Sequence, residues 1–157
     1  MPHIPRRRFM MLGTAAALCP LPALSAADTR VATNASGIAL DGYDTTAYWQ
    51  AGAYWQADVP RTGNPVHAVM SQQVPWHFET AQAAAKFEGD PERYAPKFGG
   101  FCTRALSFGK IVNADPEVWR IHEERLYLFA QPVGGEKFDE GQDAMIAAAQ
   151  QFWDSLA

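Results

Sequence analysis

The sequence predicts a small α+β fold. Two stretches alternate apolar and polar residues as β-hairpins do, capped helical segments lie between and after them, and no strand–helix–strand alternation calls for a parallel sheet. Of the 157 residues, 48% are apolar and 19% charged, ordinary proportions for one globular domain with a real core.

The chain opens with Arg6-Arg7-Arg8-Phe9-Met10, ahead of a mildly apolar, alanine-rich run from Met11 to Leu24 that ends in Ser25-Ala26-Ala27. A basic stretch, an apolar stretch and a small-residue zone in this order form an export signal. Paired arginines before Phe-Met, and an apolar run diluted by Gly13 and Thr14, fit the twin-arginine type; the expected destination is the periplasm, reached already folded. About a dozen apolar residues cannot span a hydrocarbon core of about 30 Å. Residues 1–27 are therefore expected to be removed, after Ser25 or Ala27, leaving no membrane attachment. Leu18 stands before Cys19 where lipidation wants a small residue, which argues against a lipid anchor.

Residues 28–36 are short, polar and unpatterned, and read as a linker; the domain is expected over 37–157. Gly37-Ile38-Ala39-Leu40 followed by Asp41-Gly42-Tyr43-Asp44 reads as a short strand and a turn, since Asp-Gly tolerates positive φ. Thr45 to Trp49 stays open between strand and helix, with Asp44 as a possible cap. Tyr54 to Gly63, broken by Pro60 and Gly63, reads as a loop or an edge strand.

From Val66 the alternation sharpens. Val66, Ala68 and Met70 alternate with His67, Val69 and Ser71, and Trp76-His77-Phe78-Glu79 follows a five-residue loop, which predicts a hairpin. Burying Trp76 and Phe78 opposite Val66, Ala68 and Met70 leaves His67, Val69, His77 and Glu79 on the wetter face. With Met70 across from Trp76, the two histidines sit diagonally, roughly 7–8 Å apart. Thr80 caps a helix that runs through Phe87 and stops at Gly89. Asp90-Pro91-Glu92 is a helix start, and Asp115-Pro116-Glu117 repeats it. Val118 to Ile121 and Arg125 to Ala130 make a second hairpin, turning at Glu123-Glu124. A final helix from about Gly141 aligns Met145, Ala149, Phe152, Trp153 and Leu156 on one stripe.

Charge and cysteine content exclude several classes. Three of the 13 Lys and Arg residues lie in the expected leader, so the remainder faces 17 acidic residues and carries a charge of about −7. Nucleic acid and anionic lipid both want a basic patch. Beyond the leader only Cys102 is left, so no internal disulfide and no paired-cysteine zinc site can form there. The five tryptophans form a core or line a pocket.

Cys102 is the sharpest candidate for chemistry. It follows Gly99-Gly100, where a backbone can approach a ligand closely, and lies beside Arg104. A partly exposed, electropositively placed thiol acts as a ligand or a nucleophile, and a soft thiolate favours copper(I). Between Phe101 and Leu106 the same thiol also packs well as a small hydrophobe. His67 and His77 can join it as metal ligands, although a histidine pair on a hairpin face is commonly just solvated. Enzyme motifs are absent: there is no Gly-x-Ser-x-Gly, HExxH, phosphate loop or Rossmann glycine pattern. A nucleophilic Cys102 with a histidine is the weakest reading.

Asp41-Gly42-Tyr43-Asp44, Trp76-His77-Phe78, Asp90-Pro91-Glu92-Arg93-Tyr94-Ala95-Pro96, Phe98-Gly99-Gly100-Phe101-Cys102 and Leu126-Tyr127-Leu128 occur in an order that resembles the YHS-domain proteins, and in particular their small exported bacterial members. The resemblance covers about residues 37–153. Other YHS domains, attached to metal-transporting ATPases, are thought to handle heavy metals through a cysteine pair; Glu79 and Ala83 stand at those positions here, and only Cys102 matches a cysteine of the exported group.

The expectation is thus a periplasmic, single-domain α+β binding module with no nucleic-acid or membrane partner. Its leading ligand is a soft transition metal, copper first, held through Cys102 with His77 and His67. The alternative is a small molecule in an aromatic pocket around Trp76, Phe101 and Trp119, with Arg104 nearby, or a structural interaction domain.

Overall fold

Side-chain caps from Thr80, Asp90 and Cys102 set the starts of three short helices in this chain. The computed structural model describes residues 30–50 and 60–156; the expected export signal and residues 51–59 lie outside them. The elements are β1 (Asn64–Ser71), β2 (Val74–Phe78), α1 (Ala81–Gly89), α2 (Pro91–Tyr94), α3 (Thr103–Ser107), β3 (Asp115–His122), β4 (Arg125–Phe129), α4 (Pro132–Glu140) and α5 (Gln142–Ser155). Two antiparallel hairpins, β1–β2 and β3–β4, and five helices form one α+β domain that closes with a C-terminal helix. Among the described residues, no helix is long and apolar enough to cross a membrane.

The first hairpin corrects the expected face. Its turn is the two residues Gln72 and Gln73, both at positive φ, and Ser71 pairs with Val74. Such a primed turn matches strand twist, and it moves Val69, not Met70, across from Trp76. Because side chains alternate, that one-residue slip reverses every assignment on β1. Val69 is 9% exposed, whereas Val66 and Met70 are 80% and 66% exposed. Val69, Val74, Trp76 and Phe78 pack on Ala83 and Phe87 of α1, with the Phe78 and Phe87 rings 4.9 Å apart.

The helix caps hold. Thr80 accepts a hydrogen bond from the Ala83 N–H at 3.1 Å, and Asp90 accepts one from the Arg93 N–H at 3.1 Å with Pro91 in the first turn. The second Asp-Pro-Glu does not start a helix. Asp115-Pro116-Glu117 opens β3, where Asp115 bonds the Glu117 N–H at 2.8 Å and the buried Tyr48 hydroxyl donates to the Pro116 carbonyl at 2.8 Å. Strand register shifts between Asp115 and Trp119, the kind of irregularity that tolerates a residue without an N–H. The turn at Glu123-Glu124 is as expected.

Helix α4 has no counterpart in the sequence reading. Its Gly134 and Gly135 are both packing devices. A Cβ on Gly134 would stand 2.9 Å from the Phe129 Cβ, and one on Gly135 would stand 3.0 Å from the Arg120 guanidinium, which pairs with Asp139 at 2.8 Å. Helix α5 buries Ala149 and packs Met145, Ile146, Phe152 and Trp153 beside Phe98, Leu106 and Phe138; Leu156 lies past its end, exposed.

The segment before Gly37 is also part of the packed domain. Val31 and Ala32 are buried, Ala32 N–H donates to the Gly99 carbonyl at 2.8 Å, and Thr33 bridges to Ala39. Of the expected strand at 37–40, only this single bridge forms among the described residues.

Candidate functional site

Cys102 lies at the start of α3, where its sulfur accepts the Ala105 N–H at 3.4 Å and so caps the helix. It is 4% exposed and packs with Phe98, Leu106, Tyr127 and Phe129. The hollow beside it, about 270 Å³, is walled by Ala105, Phe108, Val112, Ala130 and Val133, with Arg104 and Gln131 as polar neighbours. Arg104 itself stacks over the Phe108 ring at 5.5 Å. Among the described residues, no imidazole or carboxylate lines this hollow.

The two hairpin histidines do not share a face as expected. Ala68, not His67, stands across from His77, and His77 packs beside Gly42, where an added Cβ would lie 3.4 Å from its Nδ1. Among the described residues, no three His, Cys, Asp or Glu side chains converge as a metal-binding group. Cys102, His67 and His77 are therefore not brought together. His122 pairs instead with Asp143, at 3.6 Å, and meets the Phe138 ring edge-on.

Of the expected aromatic pocket, one residue lines a cleft. Trp76 does so with its indole N–H donated to the Ser71 carbonyl at 3.2 Å. Phe101 stands behind that cleft, 6.0 Å from the Trp153 ring. Trp119 is elsewhere, stacked edge-on against Tyr48 at 5.3 Å among Leu40, Leu126 and Leu128.

The cleft itself has a volume of about 300 Å³ and lies where the end of β1, α2, the Ala95–Gly99 segment, the start of β4 and α5 meet. Trp76, Trp153, Pro91 and Pro96 supply its apolar surface; Arg30, Lys97, Arg125 and Glu92 supply its charge. Each cation is set by backbone contacts. Gly99, at φ +62°, lets the chain turn so closely over Arg30 that a Cβ there would overlap the Arg30 carbonyl; only glycine adopts this geometry freely. Arg30 then lies over the Trp153 ring, 5.2 Å from its centroid, a cation–π contact. Lys97 donates its backbone N–H to the Leu126 carbonyl at 2.8 Å, and Pro96 forms a parallel bridge with the same residue, which runs the Ala95–Lys97 segment alongside Arg125–Tyr127. Arg125 bonds Glu92 at 3.1 Å through one terminal nitrogen, while its buried Nε has no hydrogen-bond partner among the described residues.

Sequence reading missed Arg30, Lys97, Arg125 and Trp153 as neighbours. Arg30 fell in the expected linker, and Trp153 read as one residue of a core stripe. Nothing in their spacing joins four positions spread over more than a hundred residues. Compared with known proteins, the chain matches no family model, no curated protein and no solved structure.

Proposed function

We propose that this chain is an exported, YHS-type binding module that takes a small molecule in the cleft walled by Trp76 and Trp153. The observation that carries the reading is the cleft's composition: an apolar surface with a few convergent charged groups, at the lower end of the volume range of small-molecule sites. The reading ranks above copper handling because Cys102 has apolar neighbours and a capping role, while the cleft has polar groups that lack partners. Export by the twin-arginine route, ending in the periplasm, belongs to the same proposal and is supported by the order of basic, apolar and small residues in 1–27.

A thermal-shift screen of neutral and charged small molecules tests it, with Ser71→Phe as a variant that fills the cleft. Ser71 lines the cleft at the end of β1 and only its carbonyl serves Trp76, so the substitution keeps that bond. A ligand at a hundred times its Kd adds about 2.7 kcal/mol, or roughly 8–10 °C for a domain of this size. That shift should vanish in Ser71→Phe while the ligand-free variant melts cooperatively. Ligands that stabilise both proteins equally, or a panel in which nothing stabilises either, overturn the proposal.

A further inference from the structure

Resting on the cleft reading above, we infer that the ligand is a small organic oxyanion, a carboxylate or a phosphate ester, bound by Lys97, Arg30 and Arg125. Three cations and one carboxylate line the hollow. Glu92 is matched with Arg125, and among the described residues no acid pairs with Arg30 or Lys97. The cleft is thus locally positive on a chain whose formal net charge is −4. Placing cations together costs Coulomb energy, and a bound anion removes that cost.

Arg125 adds a directional argument. A guanidinium carries five N–H donors in a planar fork that fits carboxylate and phosphate oxygens in pairs. One terminal nitrogen serves Glu92, and the other terminal nitrogen has no acceptor among the described residues. The remaining terminal N–H donors favour a ligand that brings acceptor oxygens. A cationic ligand would meet like charge. A neutral ligand would cover Arg30 and Lys97 without neutralising them. The apolar surface of Pro91, Pro96 and the Trp153 edge suits a ligand that carries an apolar body.

Calorimetric titration of the full domain with benzoate, phenyl phosphate, benzamide and benzylamine separates charge from shape. Benzoate or phenyl phosphate, whichever headgroup the site prefers, should bind at least about tenfold tighter than benzamide, a difference of about 1.4 kcal/mol. Benzylamine should give no heat of binding. Lys97→Gln and Arg30→Gln should each weaken the anion about tenfold, and Ser71→Phe should abolish it. Benzamide binding as tightly as the anions, with both Gln variants unchanged, would overturn the anion assignment and leave the cleft reading standing. Anion binding that survives Ser71→Phe would overturn both. Heat from none of the four compounds also overturns the anion assignment, and the neutral members of the wider screen then decide the cleft.

Discussion

Removing the Asp44 carboxylate should destabilise this domain more than any other single polar change. Asp44 is 0% exposed, and it accepts three hydrogen bonds: from the Thr46 N–H at 2.8 Å, the Thr46 hydroxyl at 2.7 Å and the Glu79 N–H at 2.8 Å. The first two fold the chain into the turn before Ala47–Trp49. The third ties that turn to the residue after β2, 35 positions away. Asp44→Ala leaves two backbone donors and one hydroxyl without their acceptor. Each orphaned donor costs about 1–3 kcal/mol, and counting only the two backbone donors gives a loss of about 2–6 kcal/mol. Against a total stability of about 5–15 kcal/mol for an ordinary domain, the variant remains folded with little to spare. Asp44→Asn is the informative control. Its carbonyl can still accept from Thr46, but its NH₂ group then faces the Glu79 N–H, donor against donor, for a loss of about 2 kcal/mol. Urea unfolding followed by tryptophan fluorescence measures both, provided the slope with urea stays that of the parent. An Asp44→Ala loss under about 1 kcal/mol, or an Asn variant weaker than the Ala variant, would refute this account.

Two further outcomes follow from buried groups. The Cys102 thiol should be modified by an aromatic disulfide reagent only slowly in the native protein, at a rate set by opening of the fold, and rapidly in denaturant; Cys102→Ala should cost about 2 kcal/mol through the lost cap and the space left behind. Fast modification in native buffer would place the sulfur outside the packing described above. The Tyr48 phenol, pushed well above its ordinary value of 10.0 by burial and then by nearby Tyr43 and Asp115, sets an alkaline limit. A value raised in the fold means that the folded state holds the proton that the unfolded state releases, so the contribution is whole below pH 10 and is lost as pH rises from there through the folded value. Stability should therefore fall in alkali, and less steeply in Tyr48→Phe, where burial still raises Tyr127 and Tyr43 more modestly. Equal slopes for the two proteins would show that Tyr48 is not the group responsible.

Local chemistry was legible wherever a residue acts on its own neighbours. Thr80 and Asp90 satisfy N–H groups three residues on, so their caps can be read from sequence. The Glu123-Glu124 turn can too, because two adjacent acidic residues separate the two apolar runs. The first hairpin could not, since alternation favours the wrong register: Val66, Ala68 and Met70 are a more apolar set than His67, Val69 and Ser71, and the two-residue Gln72-Gln73 turn overrides them. Asp115-Pro116 failed for a long-range reason, the Tyr48 hydroxyl that claims the Pro116 carbonyl from 68 positions away. Helix α4 went unread for a similar reason: Gly134 and Gly135 are kept small by Phe129 and Arg120, contacts that no local pattern displays. As for the site, Cys102 carried a visible signal that turned out to be a cap, and the cations of the cleft carried none.

The contrast between those two places argues for where binding energy can come from. A thiol that caps α3 and fills a core is already spending its interactions on the fold, so drawing it toward a metal would unmake a helix end and expose Phe98 and Phe129. Arg30 and Lys97 have the opposite balance. Their backbones are pinned by Gly99 and Leu126 for structural reasons, while neither charge is paired with an acid among the described residues. At physiological ionic strength, charges more than about 8 Å away are largely screened. An approaching anion therefore responds to the cations that wall the cleft more than to the acidic surface elsewhere. Rigid placement by the fold, with charge left over, is the arrangement that lets a ligand contribute energy without first paying to order its site.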